Sequence, residues 1–315
     1  MTARPPEPSS TGPVPAGVGT DRVGLTARQH RFDLAPGAPV VMGIVNTNPG
    51  SFSDREHLAT TERQLAAALA MVDAGAGIID VGTDSGVTYG EAVDLRTQID
   101  RAVPLVRQLV GRGVPVSVDT PSSAVAEATL AEGACMINDV SGLADPRIAE
   151  LCAEHRAALV VLHTRAGHKQ DVFVDVEDVV EDVLELFEDR IARAQEAGLA
   201  RDRLVLDPGL GYTKTPHDDV EVLRAYPRFA RLGLALLTGA SRKYFTGVIT
   251  GAEPPDRLPE TLATVELVRS VPGFVRVHDV DEVARYLAVA ETVDGLRALP
   301  AYDLERTRLR WIATG

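Results

Sequence analysis

Eight short apolar runs, each ending in a polar or glycine-rich turn and followed by a helical stretch, predict an α/β chain folded as a (β/α)8 TIM barrel. The runs are Val40–Val45, Gly77–Val81, Val114–Val118, Ala134–Ile137, Ala158–Leu162, Leu204–Leu206, Leu234–Leu237 and Phe274–Val277. They are continuous rather than alternating, as strands covered on both faces should be. The 315 residues hold one barrel of about 250 residues with a little chain to spare. An open doubly wound sheet is the alternative arrangement of the same units.

Pro5, Pro6, Pro8, Pro13 and Pro15 crowd a head with too little apolar area to offset its ordering entropy, so residues 1–30 are expected to be a disordered Pro-rich tail. The barrel is expected over 31–299, and 300–315 as a C-terminal tail or helix. Thr61–Ala74 places Leu65, Leu69 and Val72 on one helical face, with Thr60 or Thr61 as cap and Gly75 as stop. Ala124–Ala131 ends at Gly133. Val176–Ala197 ends at Gly198, carries a stripe from Val179 to Ala194, and begins acidic, as suits a helix N-terminus. Thr261–Val271 carries Leu262, Val265 and Val268.

Composition narrows the function. Hydrophobic residues at 45 % and charged residues at 24 % exclude a wholly disordered chain. With 32 basic against 45 acidic residues, the net charge of −13 argues against a nucleic-acid binder. Cys135 and Cys152 are too few for a disulfide framework or a cysteine-rich zinc site and read as buried free thiols. No apolar run reaches the roughly 18 residues of a membrane span, and the head lacks the apolar core of a secretory signal. A soluble, cytoplasmic protein is therefore expected.

In such a barrel, function collects where the strands end. The first run leads into Asn46 and a loop carrying Phe52 and Asp54, and the second into a loop with Ser85. Later ends supply Ser117 and Asp119, then Asn138 and Asp139, then His163 and Arg165, then Asp207 and Tyr212. The last two supply Gly239, Ser241, Arg242, Lys243 and Tyr244, then Arg276, His278 and Asp279. Asp119, Asn138 and Asp207, at strand ends, need polar partners, which a heterocycle with several N–H donors and carbonyls would provide. Asp80 reads instead as a structural acid that orients loop amides. Arg242, Lys243, Arg276 and His278 form a cationic group suited to phosphate, with Asn46 beside them around the closed ring, able to touch the anion directly or through a divalent cation. No Walker, dinucleotide, helix-borne zinc or G-x-S-x-G pattern is present.

These strand ends, in this order, resemble the dihydropteroate synthase family. The matching pieces are Met42–Asn46, Pro49 with Ser51–Asp54, Ile79–Gly82, Ser117–Thr120, Ile137–Gly142, Asp207–Tyr212, Ser241–Lys243 and Arg276–Val280. The resemblance implies condensation of 6-hydroxymethyl-7,8-dihydropterin diphosphate with an aromatic amine, 4-aminobenzoate or a variant, and release of pyrophosphate. It implies that Asp119, Asn138, Asp207, Tyr212, Gly239 and Lys243 surround the pterin, that Arg276 stacks on it, and that Asn46, Arg276 and His278 hold the diphosphate with Mg2+, Asn46 being the metal ligand. Asp54, Lys243 and Arg276 would serve catalysis by stabilising the cation left when pyrophosphate departs, and Phe52, Ser85 and Tyr244 would line the amine pocket. A homodimer is implied as well. Three departures cluster at that amine pocket: Thr47, Asn48 and Gly50 replace V, T and D of the first loop, the second loop lacks the family's Thr-Arg-Pro, and Tyr244 stands where a serine is usual. They predict poor use of 4-aminobenzoate or use of another amine; the alternative is a pterin-binding paralogue without catalysis.

Overall fold

The computed structural model describes residues 22–47, 60–83, 93–166 and 172–301. A hairpin comes first: β1 (Val23–Ala27) pairs antiparallel with β2 (His30–Leu34). Then strands and helices alternate: β3 (Val40–Asn46), α1 (Thr61–Asp73), β4 (Ile78–Gly82), α2 (Leu95–Val110), β5 (Val116–Asp119), α3 (Ser123–Ala131), β6 (Met136–Asp139) and α4 (Arg147–His155). There follow β7 (Ala158–Leu162), α5 (Val179–Glu196), β8 (Leu204–Asp207), α6 (Pro216–Arg224), α7 (Tyr226–Phe229), β9 (Ala235–Gly239), α8 (Tyr244–Thr250), α9 (Leu258–Val268), β10 (Gly273–Val277) and α10 (Val280–Val293). The eight strands β3 to β10 are parallel and close on themselves, β10 pairing with β3 from Phe274↔Val40 to Val277↔Gly43. The open-sheet alternative is thereby excluded.

Most strands run one or two residues past their apolar run, onto Asn46, Gly82, Asp119, Asp139, Asp207 and Gly239. The backbone ladder continues there whatever the side chain, and this carries polar groups up to the mouth. Helix limits moved for local reasons. Helix α5 starts at Val179, because the Asp178 carboxylate accepts from the Val180 and Glu181 N–H groups at 2.9 and 3.1 Å. Helix α9 starts early, at Leu258, with Pro259 in its first turn. Thr60 is the cap of α1.

The expected tail over residues 1–30 is corrected. Residues 1–21 and 302–315 lie outside the described residues, but 23–27 form a strand whose Leu25 and Ala27 are buried with Leu34 against Met42, Ile78, Met136 and Phe274. The hairpin closes the lower mouth of the barrel. Arg28, in the left-handed region at φ 54°, donates from Nη1 to Leu130 O at 2.7 Å, and Phe32 meets Phe274 edge to face at 5.3 Å between ring centroids. Leu25→Ala should cost about 2–4 kcal/mol as a buried cavity. Thermal unfolding should fall by roughly 5–15 °C for that loss; a fall below about 2 °C would show that the hairpin is not part of the core.

Period two along the strands connects this floor to the site. Interior positions carry Ile78, Met136, Val205, Leu237 and Phe274 in one apolar cluster. Two residues further along the same strands stand Asp80, Asn138, Asp207, Gly239 and Arg276. The barrel axis thus changes from apolar to polar within one pleat, and the polar end is the C-terminal mouth.

Candidate active site

Arg276 organises one side of the mouth. Its Nε donates to Asp80 Oδ2 at 2.6 Å and its Nη2 to Asp119 Oδ2 at 2.8 Å. Asp80 is fully buried and also accepts from Asn138 Nδ2 at 3.3 Å. The reading of Asp80 as the acid that orients loop amides is therefore corrected. That work falls to Asp139, whose carboxylate accepts from Ser141 N (2.8 Å), Ser141 Oγ (2.6 Å) and Leu143 N (2.8 Å). Asp139 sits one residue beyond the inward-facing Asn138, so its side chain points away from the axis. Asp80 is two residues beyond interior Ile78, so its side chain points inward. Among the described residues, Asp80 Oδ1, Ser117 Oγ and Asn138 Oδ1 are buried without a hydrogen-bond partner. Together they offer acceptors, and one hydroxyl, to a ligand rich in N–H groups.

The loop after β8 shapes the other side. Asp207, 4 % exposed, accepts from Gly209 N at 2.8 Å. Burial pushes its carboxyl pKa up, against the pull of that N–H and of Lys243, Lys214 and Arg276. Lys243 Nζ donates to Leu210 O at 2.6 Å and lies 5.1 Å from the centre of the Tyr212 ring. Burial lowers the Lys243 pKa, while Asp207 and Asp219 hold it up. Gly239 leaves room for this side chain: a β-carbon there would sit 3.4 Å from Lys243 Nζ. Arg257 fixes the Ser-Arg-Lys turn by donating to the carbonyls of Arg242 and Lys243, both at 3.2 Å.

His278 stands above β10 with Nδ1 3.0 Å from Ser241 Oγ. Burial and the neighbouring Arg242, Arg276 and Lys243 push its pKa down to about 3. The imidazole is therefore neutral at pH 7 and can offer a hydrogen bond but not a charge. An unfolded histidine titrates near 6.5, so the unfolded chain takes up the extra proton as pH falls below that value. Stability is lost over the window from about 6.5 down toward 3. The drop in melting temperature between pH 7 and pH 5 should shrink in His278→Gln; an unchanged drop would contradict a neutral, half-buried His278. Arg242 also has a carboxylate partner within the mouth: its Nη2 is paired with Asp279 Oδ1 at 2.8 Å.

The mouth thus brings together Asn46, Asp119, Asn138, Asp207, Tyr212, Gly239, Lys243, Arg276 and His278, all at or just beyond strand ends. Tyr244 heads α8 and is 61 % exposed. Asp54, Phe52 and Ser85 lie outside the described residues. Of the departing loop residues, Thr47 is described: its Oγ1 donates to Gly82 O at 3.0 Å and ties the first loop to β4. Thr83 likewise donates to Asp119 O at 3.0 Å. Sequence reasoning missed the role of Asp139, and missed Arg257 and Lys214 altogether. Asp139 was legible from Ser141 two residues on, an Asx-turn spacing. The other two act across loops, which no local spacing records.

Comparison with known proteins supplies independent findings. Residues 42–278 match the family model described as pterin binding enzyme. The dihydropteroate synthase of Synechocystis is 35 % identical over 80 % of this chain and 89 % of its own. That of Mycobacterium leprae is 38 % identical over 84 % and 94 %. Among solved structures, Xanthomonas albilineans dihydropteroate synthase with 4-aminobenzoic acid superposes with TM-score 0.80 at 34 % identity, covering 89 % of this chain and all of that one. The same enzyme in complex with 7,8-dihydropteroate gives 0.75 at 35 % identity, over 88 % of this chain and all of that one.

Proposed function

We propose a function for a chain that belongs to the dihydropteroate synthase family of pterin-binding enzymes: it is a transferase that joins 6-hydroxymethyl-7,8-dihydropterin diphosphate to an aromatic amine and releases pyrophosphate. The observation that carries this reading is the mouth itself, where acids and amides from β4, β5, β6 and β8 face cations from β9 and β10 across one opening. In this reading Asp119, Asn138 and Asp207 accept from the N–H groups of the pterin. Lys243 donates to its carbonyl or ring nitrogen, and the Arg276 guanidinium lies against its face.

Chemistry then needs little covalent help. The bond between the pterin methylene and the diphosphate oxygen breaks, and its electron pair leaves with pyrophosphate. Arg276 and His278 bind that leaving anion. The amine nitrogen forms the new bond to the methylene carbon and sheds a proton. Positioning and electrostatic stabilisation supply the rate. Asp54 on the first loop is assigned to the developing cation.

Magnesium fits the donor set. Among the described residues no cluster of three or more His, Cys, Asp or Glu could hold a metal. A single amide, Asn46, projects over Gly82, where a β-carbon would come within 2.3 Å of its Oδ1. One protein oxygen plus substrate phosphates and water is an ordinary magnesium arrangement. When bound with the diphosphate, the ion would neutralise charge on the leaving group.

The amine is the open choice within this function. Phe52, Ser85 and Tyr244 are assigned to its pocket, and we assign this chain a preference against 4-aminobenzoate from the three loop departures. Tyr244→Ser should raise kcat/KM for 4-aminobenzoate by about tenfold, since a hydroxyl that can hydrogen-bond a carboxylate is worth about that factor; no change would place the specificity in the second loop. A homodimer is supported by apolar side chains left on neighbouring outer helices: Val248 and Ile249 of α8, Leu267 of α9, and Val289 and Val293 of α10, the last 80 % exposed. A cytoplasmic setting accords with two buried, unpaired thiols, Cys135 and Cys152. Mass spectrometry of a mixture of pterin diphosphate, magnesium and a panel of aromatic amines tests the function: the predicted result is a pterin–amine adduct, and a panel without any adduct contradicts it.

A further inference from the structure

Lys214 is 4 % exposed and is used by none of the steps above. Its Nζ donates to Gly209 O at 3.2 Å and to Tyr212 O at 3.3 Å, and lies 2.7 Å from His163 Nδ1. His163 is itself 1 % exposed, and its Nε2 is 2.9 Å from Asp182 Oδ2. An ammonium can only donate, so His163 Nδ1 accepts and its Nε2–H donates to Asp182. Arg165 closes the chain with Nε at 3.0 Å from the same carboxylate oxygen. A buried line of polar groups therefore runs from α5 through the end of β7 to the turn after β8.

That turn is held in unusual backbone. Gly209, Gly211 and Thr213 all lie in the left-handed region, at φ 70°, 75° and 55°. For a β-branched residue such as Thr213 this conformation is strained and persists only where surrounding contacts over-determine it. Gly209 also presses on β7: a β-carbon there would come within 2.1 Å of His163 O. The Gly209 N–H fixes Asp207, Leu210 O receives Lys243, and the Tyr212 ring lies under that lysine. Three groups of the pterin pocket hang on one strained turn.

We propose that Lys214 is a positioning residue for the transferase reaction: its buried ammonium, braced by His163 and Asp182, pins the Gly209–Tyr212 turn and so places Asp207, Tyr212 and Lys243 for the pterin. The proposal rests on the reading of the mouth as a pterin site. The clamp needs the proton on Lys214, since a neutral amine has one donor fewer and no charge to strengthen the others. Burial lowers the Lys214 pKa to about 8, against Asp219, Asp207 and Asp182, which raise it, while Lys243 lowers it further. Facing it are His163 and Arg165 after β7, Asp182 on α5, Asp207 after β8, Asp219 on α6 and Lys243 after β9. Of these, Asp219 accepts from Gly211 N at 2.8 Å and steadies the same turn.

The test is calorimetric binding of 6-hydroxymethyl-7,8-dihydropterin diphosphate with magnesium from pH 7 to pH 9.5. Wild type should lose about tenfold in affinity as pH rises through about 8, the worth of one hydrogen bond to a charged group. Lys214→Met should be about tenfold weaker at pH 7 and show no such step. Wild-type affinity in that variant, or a step that persists there and so belongs to Lys243, overturns the proposal. Should Lys214→Met fail to fold, His163→Leu takes its place: losing an acceptor for the charged amine should move the step to lower pH, and an unmoved step overturns the clamp. Wild type that binds no pterin diphosphate at any pH refutes the pterin site itself, and the clamp with it.

Discussion

Arg276→Met is expected to lose about 3–5 kcal/mol of stability and about a thousandfold in kcat/KM. The stability loss follows from what is left behind. Asp80 is fully buried, and its charge is answered by Arg276 Nε at 2.6 Å and by Asn138 Nδ2 at 3.3 Å. Removing one partner of a buried pair strands the other charge, and that is the costly event. Asp119 loses its 2.8 Å contact in the same step. The activity loss has a separate cause, since removing one preorganised donor aimed at departing charge costs about 100- to 1000-fold, and the pterin also loses a stacking surface. Arg276→Lys should recover part of the stability but little of the rate, because an ammonium cannot fork between two carboxylates. Urea unfolding and steady-state kinetics on the two variants check this; an Arg276→Met protein with wild-type midpoint would mean that the Asp80–Arg276–Asp119 bridge is not a structural tie.

Lys243→Ala is expected to weaken pterin diphosphate binding at least about a hundredfold while leaving the melting temperature unchanged or raised. Each hydrogen bond to a charged group contributes about 1.5–3 kcal/mol, and in the proposed pterin site this ammonium makes one to the ligand. Its burial is a cost to the folded state, as its lowered pKa records. Its one direct tie among the hydrogen bonds described is to Leu210 O at 2.6 Å. Losing binding without losing stability is the mark of a group kept for function. Asp207→Asn should weaken binding in the same direction, since a carboxylate that accepts from a ligand N–H becomes an amide. Near-unchanged affinity in both variants would place the pterin elsewhere.

Much of this was legible in the sequence because a closed parallel barrel imposes a strict layout. Each buried strand must be a short apolar run, and every strand must deliver its last residues to one mouth. Asp119, Asn138, Asp207, Lys243, Arg276 and His278 could therefore be assembled without coordinates. The hairpin at 23–34 escaped because the prolines before it suggested a tail, although Val23-Gly24-Leu25-Thr26-Ala27 alternates as a half-buried strand does. The loop-orienting role falls to Asp139 rather than Asp80 because a continuous apolar run hides the period of two that decides which acid points inward. The Arg242–Asp279 pair left no local signal, because the two residues are 37 apart and adjacent only through the pairing of β9 with β10. Lys214 gave no local signal at all; its meaning depends on a histidine 51 residues earlier.

In the proposed reaction this mouth transfers a pterin from diphosphate to an amine. The most direct measurement is pyrophosphate release by the wild-type protein with 6-hydroxymethyl-7,8-dihydropterin diphosphate and magnesium, with and without aromatic amine. Release is expected to be amine-dependent, lost in Arg276→Met and Lys243→Ala, and slower with 4-aminobenzoate than with a better-fitting amine. Tight pterin binding with no release for any amine would contradict it.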